Sequence, residues 1–215
     1  MRARITFSKT GPLRYVGHLD LQTLWERAAR RAQLPLAYSH GFHPQAKITF
    51  AAALPLGFSS RAEVMDMRLE QDVQLQDLPS RLQEALPSGI VILDVQSVDE
   101  AEPALQMQVR AAEYEATLID RIDPNTLTER VARVLGEKSL PRTRRGKAYD
   151  LRPLIETIEV MQPVEGKRVE RLFMRLSARE SATGRPEEVL DELGIPANNA
   201  RIERSRLLFQ REPVE

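Results

Sequence analysis

The sequence contains no cysteine among its 215 residues. Without thiolates, the chain can form neither a disulfide nor a cysteine-ligated metal or iron–sulfur centre. Aromatic side chains make up only 5% of the residues, so the hydrophobic core has to be built from Leu, Val, Ile and Ala. The absence of cysteine agrees with a cytoplasmic location, which we predict for this protein.

Long apolar segments and nucleotide-binding motifs are also absent. The N-terminal sequence MRARITFSKTG lacks the apolar run of a signal peptide, and nowhere do 18 apolar residues follow one another, so we expect no membrane association. The phosphate-binding patterns GxxxxGK(S/T) and GxGxxG do not occur, nor do the zinc pattern HExxH and the hydrolase pattern GxSxG. ATP-driven, NAD-linked and serine-hydrolase chemistry are therefore not indicated.

Acidic and basic residues are equal in number but unevenly distributed. Residues 1–61 contain nine Arg or Lys side chains against two acidic ones, whereas residues 62–104 contain ten acidic side chains against two basic ones. Such an asymmetry indicates an anionic partner for the basic segment. The alternative is that the two segments neutralise each other in the folded protein, and the sequence leaves both open.

Hydrophobic periodicity predicts an α+β fold. Residues 2–8 alternate between polar and apolar, as in a half-buried strand. An apolar stripe that repeats every 3.6 residues predicts a helix over residues 18–33. The residues of this stripe are Leu21, Leu24, Trp25, Ala28 and Ala32. The order strand, helix, strand, strand, helix, strand occurs twice along the chain. We therefore predict two tandem ferredoxin-like (βαββαβ) domains, residues 1–100 and 105–215, with the acidic segment DEAEP (99–103) as their linker.

Local composition predicts the remaining segments. We expect strands over residues 47–54 and 106–119, and a basic loop over residues 141–147 (PRTRRGK). The DLRP sequence at residues 150–153 is interpreted as a clasp between the two halves, in which the Asp and Arg side chains pair. A binding element is the alternative for this sequence.

All three histidines lie between residues 11 and 57. His18 and Asp20, at the expected helix start, would come close to His40 and His43 if the loop between them folds back. Such a set could ligate zinc or iron(II), or supply a general base for RNA cleavage. The competing interpretation is that His18 caps the helix while the other two lie on a polar loop, and we predict no metal site.

Basic and aromatic residues in the same window favour RNA binding. An RNA interface combines Arg and Lys for phosphates with aromatic rings for bases, although the RNP1 pattern of the RNA recognition motif is missing. The residues in the first window are Arg14, Tyr15, Tyr38, Phe42, His43 and Lys47, and a second cluster consists of Arg142, Arg144, Arg145 and Lys147. The alternative is packing of the aromatic rings beneath the loop and a solvated turn for the second cluster.

These residues also carry a resemblance to a known family. Four segments, together with DLRP and GRP (184–186), resemble the radical-SAM-linked (radical-SAM-associated) domain of unknown function: residues 9–15 (KTGPLRY), 18–21 (HLDL), 34–44 (LPLAYSHGFHP) and 54–57 (LPLG). The similarity covers essentially the whole chain.

The resemblance implies an accessory role. In that bacterial family the domain follows a radical-SAM enzyme within a larger protein, or is encoded beside one. The partner enzyme would carry S-adenosylmethionine and a 4Fe-4S cluster, whereas this chain lacks the CxxxCxxC motif and is expected to hold no cofactor. The opening strand, loop and helix of the family also resemble RNA-processing ferredoxin-like proteins.

We therefore predict a radical-SAM-associated protein that binds an RNA substrate, such as tRNA or rRNA, for a partner radical-SAM enzyme, and that is not an enzyme by itself. Two alternatives remain open at this point. One is a histidine- or metal-dependent RNA-processing enzyme, and the other is a module that docks only onto a partner protein.

Overall fold

A computed structural model describes residues 1–162 and 169–210 of the chain. The chain divides into two compact units, Met1–Val109 and Arg110–Glu215. Both units contain helices and strands, so the chain is an α+β protein, as the sequence predicts. Within the described ranges, no helix is long and apolar enough to cross a membrane.

The first unit contains four strands and three helices. Its strands are β1 (Arg2–Lys9), β2 (Ile48–Phe50), β3 (Ser59–Arg68) and β4 (Ile90–Val98). Its helices are α1 (His18–Arg31), α2 (Leu78–Ala85) and the short α3 (Leu105–Gln108). The pairs β4–β1, β1–β3 and β3–β2 are all antiparallel, which gives the spatial order β4-β1-β3-β2.

Alternation along β1 sends apolar side chains to one face of this sheet. Ile5 lies opposite Met65 on β3 and Val95 on β4, and it is fully buried. The ring of Phe7 meets Trp25 of α1 edge-on, with 4.8 Å between ring centroids. Because these residues belong to one buried cluster with Leu78 and Leu82 of α2, the core of the first unit lies between the sheet and its helices.

The second unit is built around a comparable set of elements. Its strands are β5 (Val109–Leu118), β6 (Pro141–Arg144), β7 (Lys147–Asp150), β8 (Ile155–Val160), β9 (Arg171–Arg179), β10 (Ala182–Thr183) and β11 (Ala200–Phe209). Its helices are α4 (Pro124–Gly136) and α5 (Pro186–Glu192). β9 pairs antiparallel with β5, β8 and β10, and β11 neighbours β5, which gives the order β11-β5-β9-β8 for the four longest strands. β6 and β7 form a separate hairpin.

The predicted linker over residues 99–103 is wrong. This segment lies inside the first unit, because the guanidinium of Arg2 donates hydrogen bonds to the carbonyl oxygens of Asp99, Glu102 and Pro103. An acidic segment with a proline has the composition of a linker, but here its carbonyl groups satisfy a buried cation. The division between the two units falls after Val109 instead.

Two predicted strands are shorter than expected, and one predicted loop is a hairpin. The strand predicted over residues 47–54 ends at Phe50, and the first part of the segment 106–119 is the helix α3. The basic loop is the β6–β7 hairpin, whose turn residues Arg145 and Gly146 both have positive φ, at 51° and 77°. Two positive φ angles are the signature of a type I′ turn, whose twist matches that of the flanking strands.

Gly184 provides a test of packing in the second unit. A Cβ atom at this position would lie 3.1 Å from the carbonyl oxygen of Leu154 and 3.3 Å from Cβ of Leu176. We predict that Gly184→Ala lowers the free energy of unfolding by about 1–3 kcal/mol, as overpacking commonly does. Urea titration followed by circular dichroism measures the change.

The matched control is Gly136→Ala, because a Cβ atom there meets nothing within 4 Å. This variant is expected to be neutral or to gain up to about 1 kcal/mol, since alanine restricts the unfolded chain. Equal stability of the two variants would contradict the close approach at Gly184.

Candidate nucleic-acid interface

Residues 37–47 form an extended two-stranded ribbon between α1 and β2. Backbone hydrogen bonds from Lys47 to Ala37 and from Ser39 to Gln45, both of 2.8 Å, join its two arms. The amide of Gln45 also donates to the hydroxyl of Ser39, at 2.9 Å. The base of the ribbon is fixed to the end of β3 by the bond from the amide of Ala37 to the carbonyl of Arg68. We refer to residues 40–44 as the ribbon tip.

The ribbon tip exposes every one of its side chains. Phe42 is fully exposed, and His40 and His43 lie on either side of it in the sequence. Burial of a Phe side chain stabilises the folded state by roughly 1.5–3 kcal/mol, and a ring that lies entirely in water does not contribute this free energy. The tip therefore presents an aromatic surface that is free to stack on a partner.

Tyr38 and Lys47, which were predicted to bind RNA together, have different surroundings in the ribbon. Tyr38 points toward α1, where its hydroxyl accepts a hydrogen bond of 3.0 Å from Nε of Arg30, whose guanidinium lies 5.7 Å from the centre of its ring. Lys47 instead lines a cleft of about 250 Å³ with Arg2, Asp66 and Arg68. Because Tyr38 is already covered by Arg30, it is a weaker candidate for base stacking than Phe42.

Arg14 and Tyr15 lie in a 3₁₀ turn, Gly11–Tyr15, which precedes α1. Nε of Arg14 donates to the carbonyl of Gly57 at 2.9 Å, and the amide of Gly57 donates back to the carbonyl of Arg14 at 2.8 Å. Gly57 has φ of 88°, a conformation that favours glycine. The guanidinium of Arg14 lies 5.2 Å from the centre of the ring of Tyr15, which is 68% exposed. The sequence LPLG thus serves to fix the orientation of a cation and an exposed ring.

His18 and Asp20 lie in the first turn of α1, and both are exposed. The ring of His18 meets Phe50 edge-on at 5.2 Å. Across residues 1–162 and 169–210, the structure contains no group of three or more His, Asp or Glu side chains that could hold a metal ion. His40 and His43 lie at the ribbon tip, so within the described residues the loop does not fold back to gather the three histidines into such a group.

Carboxylates neutralise only part of the basic N-terminal segment. Asp66 accepts hydrogen bonds from Arg2 at 2.6 Å and from Arg4 at 2.8 Å, and Glu26 pairs with Arg30 at 2.6 Å. Four cations of this segment have no carboxylate at ion-pair distance within the described part of the chain, namely Arg14, Arg27, Arg31 and Lys47. The sequence prediction omitted Arg27 and Arg31 as site residues, although their shared position on the polar face of α1 was a usable signal.

Two of the four cations in the second predicted basic cluster, Arg142 and Arg144, are neutralised by carboxylates. Arg142 pairs with Asp191 at 2.5 Å and with Glu192 at 2.7 Å. Both carboxylates belong to α5. Glu188 lies one helical turn before them, so α5 presents an acidic face that can receive the hairpin.

Arg144 forms a two-pronged contact with Glu188 of α5, in which Nε and Nη2 each donate to a different carboxylate oxygen at 3.1 Å and 2.5 Å. Its guanidinium also lies 4.6 Å from the centre of the Tyr149 ring. Arg142 and Arg144 therefore hold the hairpin onto α5, and their predicted role as phosphate ligands is not supported by this geometry. Arg145 and Lys147 remain exposed at the turn.

The DLRP sequence acts within the second unit. One oxygen of Asp150 accepts hydrogen bonds from the amides of Leu140 at 2.7 Å and Arg152 at 2.9 Å, and these bonds hold the pKa of the carboxyl below its usual value. The guanidinium of Arg152 donates to the carbonyls of Leu135 and Ile155 rather than to Asp150. The predicted ion pair is therefore wrong, and the clasp joins the end of α4 to the start of β8.

Comparison with known families gives one match that spans most of the chain. A family model described as "Uncharacterized protein conserved in bacteria (DUF2344)" matches residues 2–186. None of the curated proteins compared with the chain is similar to it in sequence.

Two solved structures are similar in fold. A chain in the crystal structure of a Cbf5-Nop10-Gar1 complex shares 13% identity with a TM-score of 0.50, over 95% of this chain and 48% of that one. A chain of the archaeal box H/ACA sRNP Nop10-Cbf5 complex shares 14% identity with a TM-score of 0.43, over 95% and 47%. The chain thus spans about half the length of these structures, and at such identities the likeness concerns the fold alone.

The bonds at Asp150 predict a pH-dependent contribution to stability. Because the folded-state pKa lies below the usual value of 3.8, the stabilisation is fully present above that value and is lost as the pH falls through the folded-state pKa. We predict that Asp150→Ala lowers the melting temperature at pH 7 and that its difference from the unmodified protein shrinks below about pH 4.

Asp150→Asn is the matched control, since its amide oxygen can still accept one or both bonds. It is expected to lose less stability than the alanine variant at pH 7. A difference between Asp150→Ala and the unmodified protein that stays constant from pH 7 to pH 3 would show that the carboxylate charge contributes nothing.

Proposed function

The chain belongs to the DUF2344 family of uncharacterized bacterial proteins, and we propose that it is a radical-SAM-associated accessory protein that binds an RNA substrate, such as tRNA or rRNA, for a partner enzyme. The association with a radical-SAM enzyme rests on the sequence resemblance. The binding of RNA rests on the residues of the first unit.

We also propose that each unit is a ferredoxin-like domain. The four principal strands follow the order β4-β1-β3-β2 in the first unit and β11-β5-β9-β8 in the second. In both, the chain runs strand, helix, strand, strand, helix, strand, apart from the inserted β6–β7 hairpin, the two-residue β10 and the short α3. That combination is typical of the split βαβ arrangement.

The fully exposed ring of Phe42 is the observation that carries the proposal of RNA binding. The ribbon that bears it is fixed by three hydrogen bonds between its arms, so the ring is presented on an ordered support. An aromatic ring in this situation stacks on any unpaired base, a contact worth about 1–3 kcal/mol per base. His40 and His43 add planar donors and acceptors beside it.

Cations without carboxylate partners supply the electrostatic part of the interface. Arg14 uses Nε to bind the carbonyl of Gly57, which leaves the outer nitrogens of its guanidinium for a phosphate. Tyr15 is exposed beside it and offers a second ring. Arg27, Arg31 and Lys47 are exposed as well. Each phosphate contact of this kind adds to affinity and makes it dependent on salt.

The partner enzyme would perform the chemistry. This chain has no cysteine with which to bind a cluster, so the 4Fe-4S cluster and S-adenosylmethionine belong to the partner in this proposal. The chain itself would hold the RNA and orient it.

Binding of labelled bulk tRNA tests the proposal by fluorescence anisotropy over a range of salt concentrations. We predict that affinity falls steeply with salt and that Phe42→Ala weakens binding by roughly 1–3 kcal/mol with little change in the salt slope. Arg14→Ala and Lys47→Ala should each reduce the salt slope by about one.

Two control substitutions remove a cation and part of an apolar side chain from the surface of the second unit. Lys138→Ala removes an exposed cation of the second unit, and Ile119→Ala shortens an apolar side chain that is 55% exposed. Both should leave binding unchanged. Absence of tRNA and rRNA binding at low salt, or equal effects of all five substitutions, would remove the proposal.

A further inference from the structure

Strand β4 leaves one long edge unpaired. It pairs with β1 along one side, and no other strand in residues 1–162 or 169–210 pairs with it on the other. Val91 and Leu93 on this nine-residue strand are 49% and 53% exposed. Proteins usually protect such an edge with lysine, proline or a covering segment, because it can pair with another chain.

One side chain already occupies the beginning of this edge. The amide nitrogen of Gln83 donates to the carbonyl of Ile90 at 2.9 Å, and the amide of Ile92 donates to the Gln83 oxygen at 2.8 Å. Gln83 thus makes both of the bonds that a neighbouring strand would make. In the described chain, no side chain forms hydrogen bonds with the backbone of residues 93–97. The edge is therefore open from Leu93 onward.

An apolar groove runs beside the open edge. Its volume is about 480 Å³, and its apolar lining comes from Leu75 and Pro79 on one side and from Ile92, Leu93 and Val95 on the other. Asp94 is the only charged residue that lines it, and this carboxylate is exposed with no cation at ion-pair distance in the described chain. Asp77, in the 3₁₀ turn Leu75–Asp77 beside the groove, is a second exposed carboxylate with no cation at ion-pair distance in the described chain.

We propose that the open edge of β4 and this groove bind an extended segment of a partner protein, in which aliphatic residues alternate with Lys or Arg. The segment adds a strand to β4 through backbone hydrogen bonds, and its aliphatic side chains enter the groove. Its basic side chains are complementary to Asp94 and Asp77.

Charge argues against the other occupants of this surface. A second copy of the chain would bring an identical acidic edge, and like charges facing each other across paired strands are destabilising. RNA phosphates would be repelled by Asp94 for the same reason. The docking surface is therefore separate from the proposed RNA interface and does not depend on it.

Two fluorescently labelled peptides of equal length test the proposal on the full chain. We expect acetyl-KVKIKVKV to bind and the acidic counterpart acetyl-EVEIEVEV to fail. A third peptide, with proline in place of two valines, keeps the charge but lacks two backbone N–H donors and is restricted in φ at both positions, so we expect it to bind more weakly than the first. Hydrogen exchange should show slower exchange of the amides of residues 93–97 when the first peptide is bound.

Substitutions then locate the site. Leu93→Lys should weaken binding of the basic peptide at least about tenfold, because it places a cation on the edge. Asp94→Asn preserves the shape and should weaken the same peptide while reducing its salt dependence. Ile119→Lys is the matched control at an exposed apolar position outside the first unit and should have no effect.

Binding that is insensitive to Leu93→Lys and Asp94→Asn, or equal binding of all three peptides, would overturn the proposal. Concentration-dependent dimerisation that Leu93→Lys abolishes would overturn it too, because the occupant would then be a second copy. Loss of RNA binding in the Phe42→Ala variant has no bearing on these measurements, so the two proposals fail separately.

Discussion

The carboxylate of Asp66, buried between Arg2 and Arg4, is the interaction on which the first unit depends. It joins β1 to β3, and Arg2 reaches from the same pair to three carbonyl groups of residues 99–103. An unpaired charge at this depth would be very unfavourable, so the five hydrogen bonds of Arg2 have to form together. The pairing also removes two cations from any surface that could meet RNA.

Ion pairing also removes cations from the accessible surface of the second unit. The acidic face of α5 binds Arg142 and Arg144, so that of the four cations in the hairpin only Arg145 and Lys147 stay without carboxylate partners in the described chain. In the first unit, Arg14, Arg27, Arg31 and Lys47 have no carboxylate at ion-pair distance in the described chain, and they belong to the same segment as the exposed rings of Tyr15 and Phe42. Pairing therefore limits which basic side chains can bind an anionic partner, and in the first unit the unpaired ones accompany exposed rings.

Much of the fold could be predicted from the sequence, because periodicity reports burial within a single element. Leu21, Trp25 and Ala28 of the predicted stripe are buried in α1, and β1 (Arg2–Lys9) covers the strand predicted over residues 2–8. The candidate site was less accessible to prediction, because its geometry depends on contacts between distant residues. Nothing near Tyr38 in the sequence shows that Arg30 will cover its ring, and no local pattern shows that residues 99–103 will bind Arg2. Glu188 and Glu192 lie one helical turn apart in α5, and this spacing could have been used to predict that α5 binds the basic hairpin.

Ultraviolet crosslinking of bound RNA, followed by mass spectrometry of the crosslinked peptides, tests the central claim most directly. Because an aromatic side chain that stacks on a base lies within bonding distance of it, the account predicts crosslinks at Phe42 and Tyr15 in the first unit. It predicts none at Arg142 and Arg144 of the β6–β7 hairpin, which are held by α5. Crosslinks confined to that hairpin, with none at the ribbon tip, would contradict it.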